Sequence, residues 1–330
     1  MNFPMEDSKT DLLKLAYVDR AWLPRCRFRL IEEFCTDLSF DSHESLSTFR
    51  DLTTAGICSL LSHHYRSLTI ALAPEGLPSS RGPESSPWAF LEAITVVDSV
   101  TVNLGSVVSH PYSSTFPWKK LASWNTLTGV TFGGTLPSLA TVALVITALP
   151  QLQELDIDAT YLDDSIPEAK GSLSSHFVSF SLGSRGYALF SWLASLDDTG
   201  LYLGNVMLNV GWGDVSPLHA FTSRHSDAIN SLTITLSRDR VTDLVPALKN
   251  LRDLSDVEFY LNYHSAQGHS QCIQSLASSL ASASPETLTV YMPELPDGLM
   301  GAMRLQRLAK ASMTFTAGPG WLHVRFNVIC

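Results

Sequence analysis

Apolar residues recur along most of the chain in triplets with the spacing L-x-x-L-x-L. Nine triplets are present, from Tyr65/Leu68/Ile70 to a weaker one at Pro285/Leu288/Val290. Their middle residues are Leu68, Val100, Val130, Leu155, Phe180, Val206, Leu232, Val257 and Leu288. The six central middle residues follow one another at intervals of 25 or 26 residues. Such a near-constant interval indicates a repeat architecture built from similar supersecondary units.

Polar residues alternate with the apolar residues inside the triplets, as in QLQELDID and SLTITLS, which predicts strands buried on one face. The segments between triplets show helical spacing instead. This spacing occurs at Leu139, Val142, Ile146 and Leu149, at Ile273, Leu276, Leu280 and Ala283, and in shorter form at Leu244, Leu248 and Leu251. Residues 74–87 and 109–117 are rich in Pro, Gly or Ser and predict irregular loops.

A strand followed by a helix, many times over, predicts parallel strands joined by crossovers. Each unit is too short to bury its apolar face alone, so we expect the units to stack. The predicted fold class is therefore α/β, a leucine-rich-repeat-like solenoid with a curved parallel sheet and outer helices. A doubly wound α/β domain is the alternative, but its strands are covered on both faces and are usually continuously apolar.

The N-terminal segment 11–30 carries one apolar helical face. Asp11 can cap this helix and Pro24 would end it. The residues that form the face are Leu12, Leu15, Val18 and Trp22. From the spacing alone, the segment is an amphipathic helix that caps the first repeat.

The residue types in this segment, D-L-L-x-x-x-x-V-x-R-x-W, resemble the last helix of F-box domains. Together with the repeats, the chain resembles fungal, basidiomycete-type F-box proteins with degenerate leucine-rich-like repeats. The resemblance implies that the repeats hold a target protein for ubiquitination. It also implies that the helix docks on the Skp subunit of a cullin-type ubiquitin ligase, with candidate contacts at Leu12, Leu15, Val18 and Trp22.

An F-box normally opens with L-P-x-E and a further helix, and here that opening is incomplete. Phe3-Pro4-Met5-Glu6 is followed by only four residues before Asp11, too few for another helix. We therefore expect a partial F-box-like helix at residues 1–34 and a repeat domain at residues 35–330. Loss of ligase binding and a truncated gene model both remain open as explanations.

The residues that flank the middle apolar residues should point to the concave side, where stacked repeats usually bind partners. The partner-binding candidates are Glu154, Asp156, Asp158, Asn205, Met207, Asn209, Asp256, Glu258 and Tyr260. The expected face is hydroxyl-rich, with two acidic spots four repeats and roughly 20 Å apart. This pattern suits a basic or Ser/Thr-rich polypeptide. The alternative is that these side chains are only solvated strand residues.

Charge and motif content exclude several function classes. The net charge of −10 argues against nucleic acid as a partner. The chain contains no G-x-x-x-x-G-K-S/T phosphate loop, no G-x-S-x-G nucleophile elbow and no CxxC pair. We therefore expect no catalytic residue, no cofactor and no metal. Its longest apolar run, at residues 139–149, is shorter than the ~20 residues that a membrane span needs.

The N-terminus lacks the apolar run of a secretory signal, so we expect a cytoplasmic or nuclear protein. The predicted function is non-enzymatic: a protein–protein interaction module, monomeric apart from its partners, that resembles the substrate receptor of a Skp/cullin/F-box ubiquitin ligase. Three alternatives stay open. The chain is a ligase-independent repeat scaffold without Skp binding, a hydrolase on an α/β fold, or a purely structural or decayed protein with no retained partner.

Overall fold

The computed structural model describes part of the chain, in two compact units, Met1–Thr135 and Leu136–Cys330. The described residues are 36–54, 64–72, 88–105, 116–168, 171–175, 177–183, 185–196, 201–211, 214–236, 240–261, 275–276, 278–280, 283, 285–292, 311–318 and 321–328. The predicted N-terminal helix, with Leu12, Leu15, Val18 and Trp22, lies outside them. So do the predicted loop at 74–87 and most of the one at 109–117.

The first unit is a parallel α/β arrangement with its strands in chain order. Its elements are β1 (Asp37–Phe40), α1 (His43–Thr54), β2 (His64–Ala71), a 3-10 helix (Ala89–Ala93), β3 (Val96–Asn103), α2 (Trp118–Leu121) and β4 (Gly129–Ser138), whose last residues enter the second unit. Leu68 lies opposite Val100, and Val100 lies opposite Val130. The repeat spacing predicted this register, and all three side chains are buried.

The first strand of this unit was not predicted. β1 is four residues long, and Leu38 lies opposite Leu68 of β2 in parallel register. Phe40 at its end packs edge-on against Phe49 and Phe90, with ring centroids 5.2 Å apart in both cases. The series of repeats therefore starts one repeat earlier than the triplets indicated.

The second unit contains six neighbouring parallel strands, β5 to β10. Its elements are α3 (Leu139–Ala148), β5 (Glu154–Asp163), β6 (Ser179–Leu182), α4 (Ala188–Ser195), β7 (Gly204–Val210), α5 (Ser216–Arg224), β8 (Ile229–Leu236), α6 (Val241–Leu248), β9 (Asp256–Leu261), β10 (Thr287–Met292), β11 (Ala311–Gly318) and β12 (Trp321–Val328). The predicted helices around Val142 and Leu244 are present as α3 and α6. Of the third predicted helix, residues 275–276 and 278–279 are described and helical.

The middle residues of the triplets face one another across β5 to β10. The aligned residues are Leu155, Phe180, Val206, Leu232, Val257 and Leu288. Each is at most 4% exposed. The prediction of an α/β fold with repeated parallel strands is therefore confirmed within this unit.

The C-terminal strands depart from the parallel repeat. β12 pairs antiparallel with β10, and β11 pairs antiparallel with β12. Only residues 319 and 320 join β11 to β12. Parallel neighbours need a crossover of about a dozen residues or more, so a connection of this length permits only an antiparallel pair.

The helices of the second unit cover the apolar face of the strands. Phe180 of β6 contacts Phe190 of α4, with ring centroids 5.7 Å apart, and Phe190 contacts Phe221 of α5 at 5.1 Å. Ser138 caps the N-terminus of α3 by accepting a hydrogen bond from the Thr141 amide at 3.1 Å. Because side chains alternate along a strand, the polar flanking residues lie on the other face. None of the described helices combines the length and apolar character required to cross a membrane.

Candidate functional site

The polar residues of β5 to β10 form one surface, here called the strand face, in three rows that run across the strands. The first row is Glu154, Ser179, Asn205, Ser231, Asp256 and Thr287. The second is Asp156, Ser181, Met207, Thr233, Glu258 and Thr289. The third contains Asp158, Asn209, Thr235, Tyr260 and Tyr291. The structure thus places all nine partner-binding candidates on one face.

Three acidic residues of β5 on the strand face make no hydrogen bond or ion pair with a described residue. These residues, Glu154, Asp156 and Asp158, are exposed. Alternate residues on a strand lie about 6.6 Å apart, so these like charges repel one another along one edge of the strand face.

The acidic residues of β9 are already engaged in hydrogen bonds. Asp256 accepts from the hydroxyls of Thr287 and Ser255, the latter at 3.0 Å. Glu258 accepts from the Tyr260 hydroxyl at 3.2 Å. The two acidic spots lie four strands apart, as predicted, but they differ chemically. Only on β5 do the carboxylates of the spot make no hydrogen bond with a described residue.

A tyrosine pair lies at the β10 side of the strand face. Tyr260 and Tyr291 stack with ring centroids 4.2 Å apart and ring planes within 6° of parallel. Burial raises the pKa of the Tyr260 hydroxyl, and its hydrogen bond to Tyr291 and the negative charge of Glu258 raise it further. The hydroxyl therefore stays protonated and remains a donor to Glu258.

Tyr291 was missed by the sequence analysis, although the repeat register contained a signal for it. Tyr291 follows Leu288 by three residues, as Tyr260 follows Val257. Leu288 and Val257 are register partners. Applying the register of β9 to the weak last triplet would have placed Tyr291 on the strand face.

A depression of about 260 Å³ opens between β5 and β8 on the strand face. Its lining includes Asp156, Asp158, Ser181, Met207, Asn209 and Thr235. Gly183 also contributes, and its lack of a side chain is required, because a Cβ there would lie 2.0 Å from the Asp158 carboxylate. The depression joins the candidates on β5 to those on β7 but does not include those on β9.

Metal binding and acid–base catalysis both require titratable side chains that lie close together. Among the described residues, no three His, Cys, Asp or Glu side chains lie close enough together to hold a metal ion. His64 Nε2 and Asp98 Oδ1 in the first unit are 2.7 Å apart, and both side chains are more than 40% exposed. Hydrogen bonds from Ser165 and Ser216 lower the pKa of Asp163 and Asp214, which lie next to strand and helix ends.

Two tyrosines outside the strand face have raised pKa values. Burial raises the pKa of Tyr161 and of Tyr187. The Tyr187 hydroxyl donates to the Asn209 carbonyl at 3.4 Å, while the Tyr161 hydroxyl has no hydrogen-bond partner in the described part of the chain. Neither tyrosine is paired with a base among the described residues.

Comparison with known proteins does not place the chain in a family. No family model matches it, and no curated protein matches its sequence. The geometry of the strand face and the charges that it presents are therefore the features that indicate a function.

Proposed function

We propose that the chain is a non-enzymatic protein-binding module, a leucine-rich-repeat-like solenoid whose strand face holds a partner polypeptide. The observation that carries the proposal is the contrast between the two faces of the sheet in the second unit. The face that the helices cover is filled by side chains such as Phe180 and Leu232, each 1% exposed. The strand face exposes carboxylates, amides and Met207 with capacity to bind. Stacked repeats typically bind partners on such a surface.

The charge of the strand face favours a polypeptide over a nucleic acid. Glu154, Asp156 and Asp158 add to a net charge of −10, which would repel phosphate backbones. The same charges attract a basic protein segment and speed its association. The hydroxyl and amide side chains between the acidic spots can both donate and accept hydrogen bonds, as an extended peptide requires.

Site-specific photo-crosslinking would test which face holds the partner. A benzoylphenylalanine in place of Met207, which is 43% exposed, should crosslink to another polypeptide in the cells that produce the protein naturally. The matched control is the same probe at Leu144, which is 46% exposed on α3. Adducts of similar yield at both positions, or none at position 207, would contradict the proposal.

We further propose that the module is the substrate receptor of a Skp/cullin/F-box ubiquitin ligase. The D-L-L-x-x-x-x-V-x-R-x-W segment supports this role, with Leu12, Leu15, Val18 and Trp22 as the Skp contacts. The second candidate is a repeat scaffold that binds its partner through the strand face without a ligase.

Capture of a purified Skp subunit would separate the two candidates. The chain alone should capture it weakly, and fusion of a helix opening with L-P-x-E ahead of Asp11 should strengthen capture at least about tenfold, since that helix supplies a second contact surface. Val18→Asp should abolish the gain, because it places a charge in an apolar contact. If Val18→Asp leaves capture unchanged, the ligase role is wrong and the protein-binding role stands.

A further inference from the structure

The two acidic spots of the strand face are chemically unequal, and this difference indicates where a partner's positive charge would lie. On β9, Asp256 and Glu258 already accept hydrogen bonds from neighbouring hydroxyls. On β5, Asp156 and Asp158 make no hydrogen bond or ion pair with any described residue. A cationic donor stabilises an ionised carboxylate most when the carboxylate oxygens do not already accept hydrogen bonds.

The depression next to these two carboxylates has the size and lining for one long side chain. Its volume of about 260 Å³ is smaller than the roughly 300–1,000 Å³ of typical small-molecule pockets. Asp156 and Asp158 lie at its β5 side and Met207 on β7, two strands or about 10 Å away. Carboxylates at one side and an exposed thioether at the other match a side chain with a cationic head and an apolar stem.

We propose that the strand face binds an extended, arginine-containing segment of a partner protein, with an arginine side chain in this depression. The guanidinium donates to Asp156 and Asp158, and its methylene stem packs on Met207. Arginine fits better than lysine because its five donors can reach two separate carboxylates at once. This assignment rests on the proposed protein-binding function and names the chemistry of the partner.

The rest of the strand face suits the segment that carries the arginine. From β5 the second row continues through Ser181 and Thr233 to Glu258. The Glu258 carboxylate accepts a hydrogen bond from the Tyr260 hydroxyl. Four strand spacings of about 4.8 Å give about 19 Å, which an extended segment covers with about six residues. These hydroxyls supply neutral donors and acceptors, so the segment needs a positive charge mainly at its β5 end.

Synthetic peptides would test the assignment directly on the full chain. Three fluorescent eight-residue peptides share a Gly/Ser background and carry two arginines, two lysines or two glutamates, and their binding is measured by fluorescence anisotropy. The arginine peptide should bind more tightly than the lysine peptide, and the glutamate peptide should not bind. The affinity for the arginine peptide should fall as salt is added, because its contacts are exposed charges.

A pair of double variants makes the test specific to the site. Asp156→Asn with Asp158→Asn should weaken binding of the arginine peptide at least about tenfold, since two charge-assisted hydrogen bonds are lost. The matched control, Asp41→Asn with Asp164→Asn, removes the same charge from two other exposed carboxylates and should change affinity less than about twofold. Circular dichroism of both variants confirms that they are folded.

Four outcomes would overturn the assignment. The first two are equal weakening by both double variants and arginine-peptide binding that survives the loss of Asp156 and Asp158. The other two are lysine-peptide binding as tight as arginine-peptide binding and absence of binding by any peptide. In each case a crosslink from position 207 would still stand, so failure of this assignment is distinguishable from failure of the protein-binding function.

Discussion

Phe190→Ala is expected to lower the free energy of unfolding by about 3–5 kcal/mol, as is typical for removal of a buried aromatic ring. Phe190 is fully buried on α4 and contacts Phe180 of β6 and Phe221 of α5. Its ring therefore joins a strand and the helices of two successive repeats. The loss leaves a cavity at the point where these repeats pack together. Urea-induced unfolding, followed by circular dichroism, measures the effect.

Two further variants keep the Phe190 result interpretable. Phe190→Leu retains most of the volume and should cost less than half as much, which provides a folded variant if the alanine variant does not fold. Leu144→Ala, on the exposed side of α3, should change the free energy of unfolding by less than about 1 kcal/mol. A loss at Phe190→Ala as small as that at Leu144→Ala would show that the helices do not pack as described.

Gly204→Ala is expected to destabilise the protein by about 1–3 kcal/mol through backbone strain, with an added steric cost. Gly204 has φ +63°, which disfavours any residue with a Cβ. That Cβ would lie 2.4 Å from the Val178 carbonyl oxygen. The same oxygen accepts a hydrogen bond from the Asn205 amide at 2.9 Å, so relief of the clash disturbs the β6–β7 pairing.

Gly129→Ala on β4 is the matched control for the Gly204 variant. Its φ is not positive, and an added Cβ would meet Ser99 Cβ at 3.3 Å as its nearest atom. The cost should stay below about 1 kcal/mol, since neither strain nor a backbone collision arises. Thermal or urea unfolding of both variants checks the contrast. Equal midpoints for the two would contradict the strand register at Gly204.

The sequence pattern was sufficient to predict the parallel strands, because the interval between triplets is nearly constant. A one-residue shift from the register with Phe180 opposite Val206 would turn polar residues toward the helices. β1 was missed because a strand of four residues offers only two apolar positions, Leu38 and Phe40. β1 is therefore too short for alternation of apolar and polar residues to reveal it in the sequence.

The antiparallel pair β11–β12 was missed for a different reason. A constant interval between triplets indicates only parallel units, and no triplet follows the one that contains Leu288. A signal was nevertheless present. Pro319 and Gly320 separate two alternating segments, and two residues between strands indicate a hairpin. A separate search for turns would have recovered it.

The candidate site was predicted in position but not in chemistry. Alternation alone placed Glu154, Asp156, Asp256 and Glu258 on one face. It did not separate the hydrogen-bonded carboxylates from the others, because one of the two partners of Asp256 is Thr287, 31 residues away on the next strand. That contact depends on the register of a triplet too weak to align from sequence alone. Identification of the arginine site therefore needed three-dimensional information.

The β5 carboxylates on the strand face also link binding of the partner to the stability of the folded state. Three like charges along one strand face make the unliganded chain less stable than the same chain with a cationic segment in contact with them. A ligand that binds only the native state raises its stability, and the gain increases with the logarithm of the free ligand concentration once that exceeds the Kd. The population that opens to proteases is therefore largest when the partner is scarce, and the amount of this protein in the cell should follow the supply of its partner.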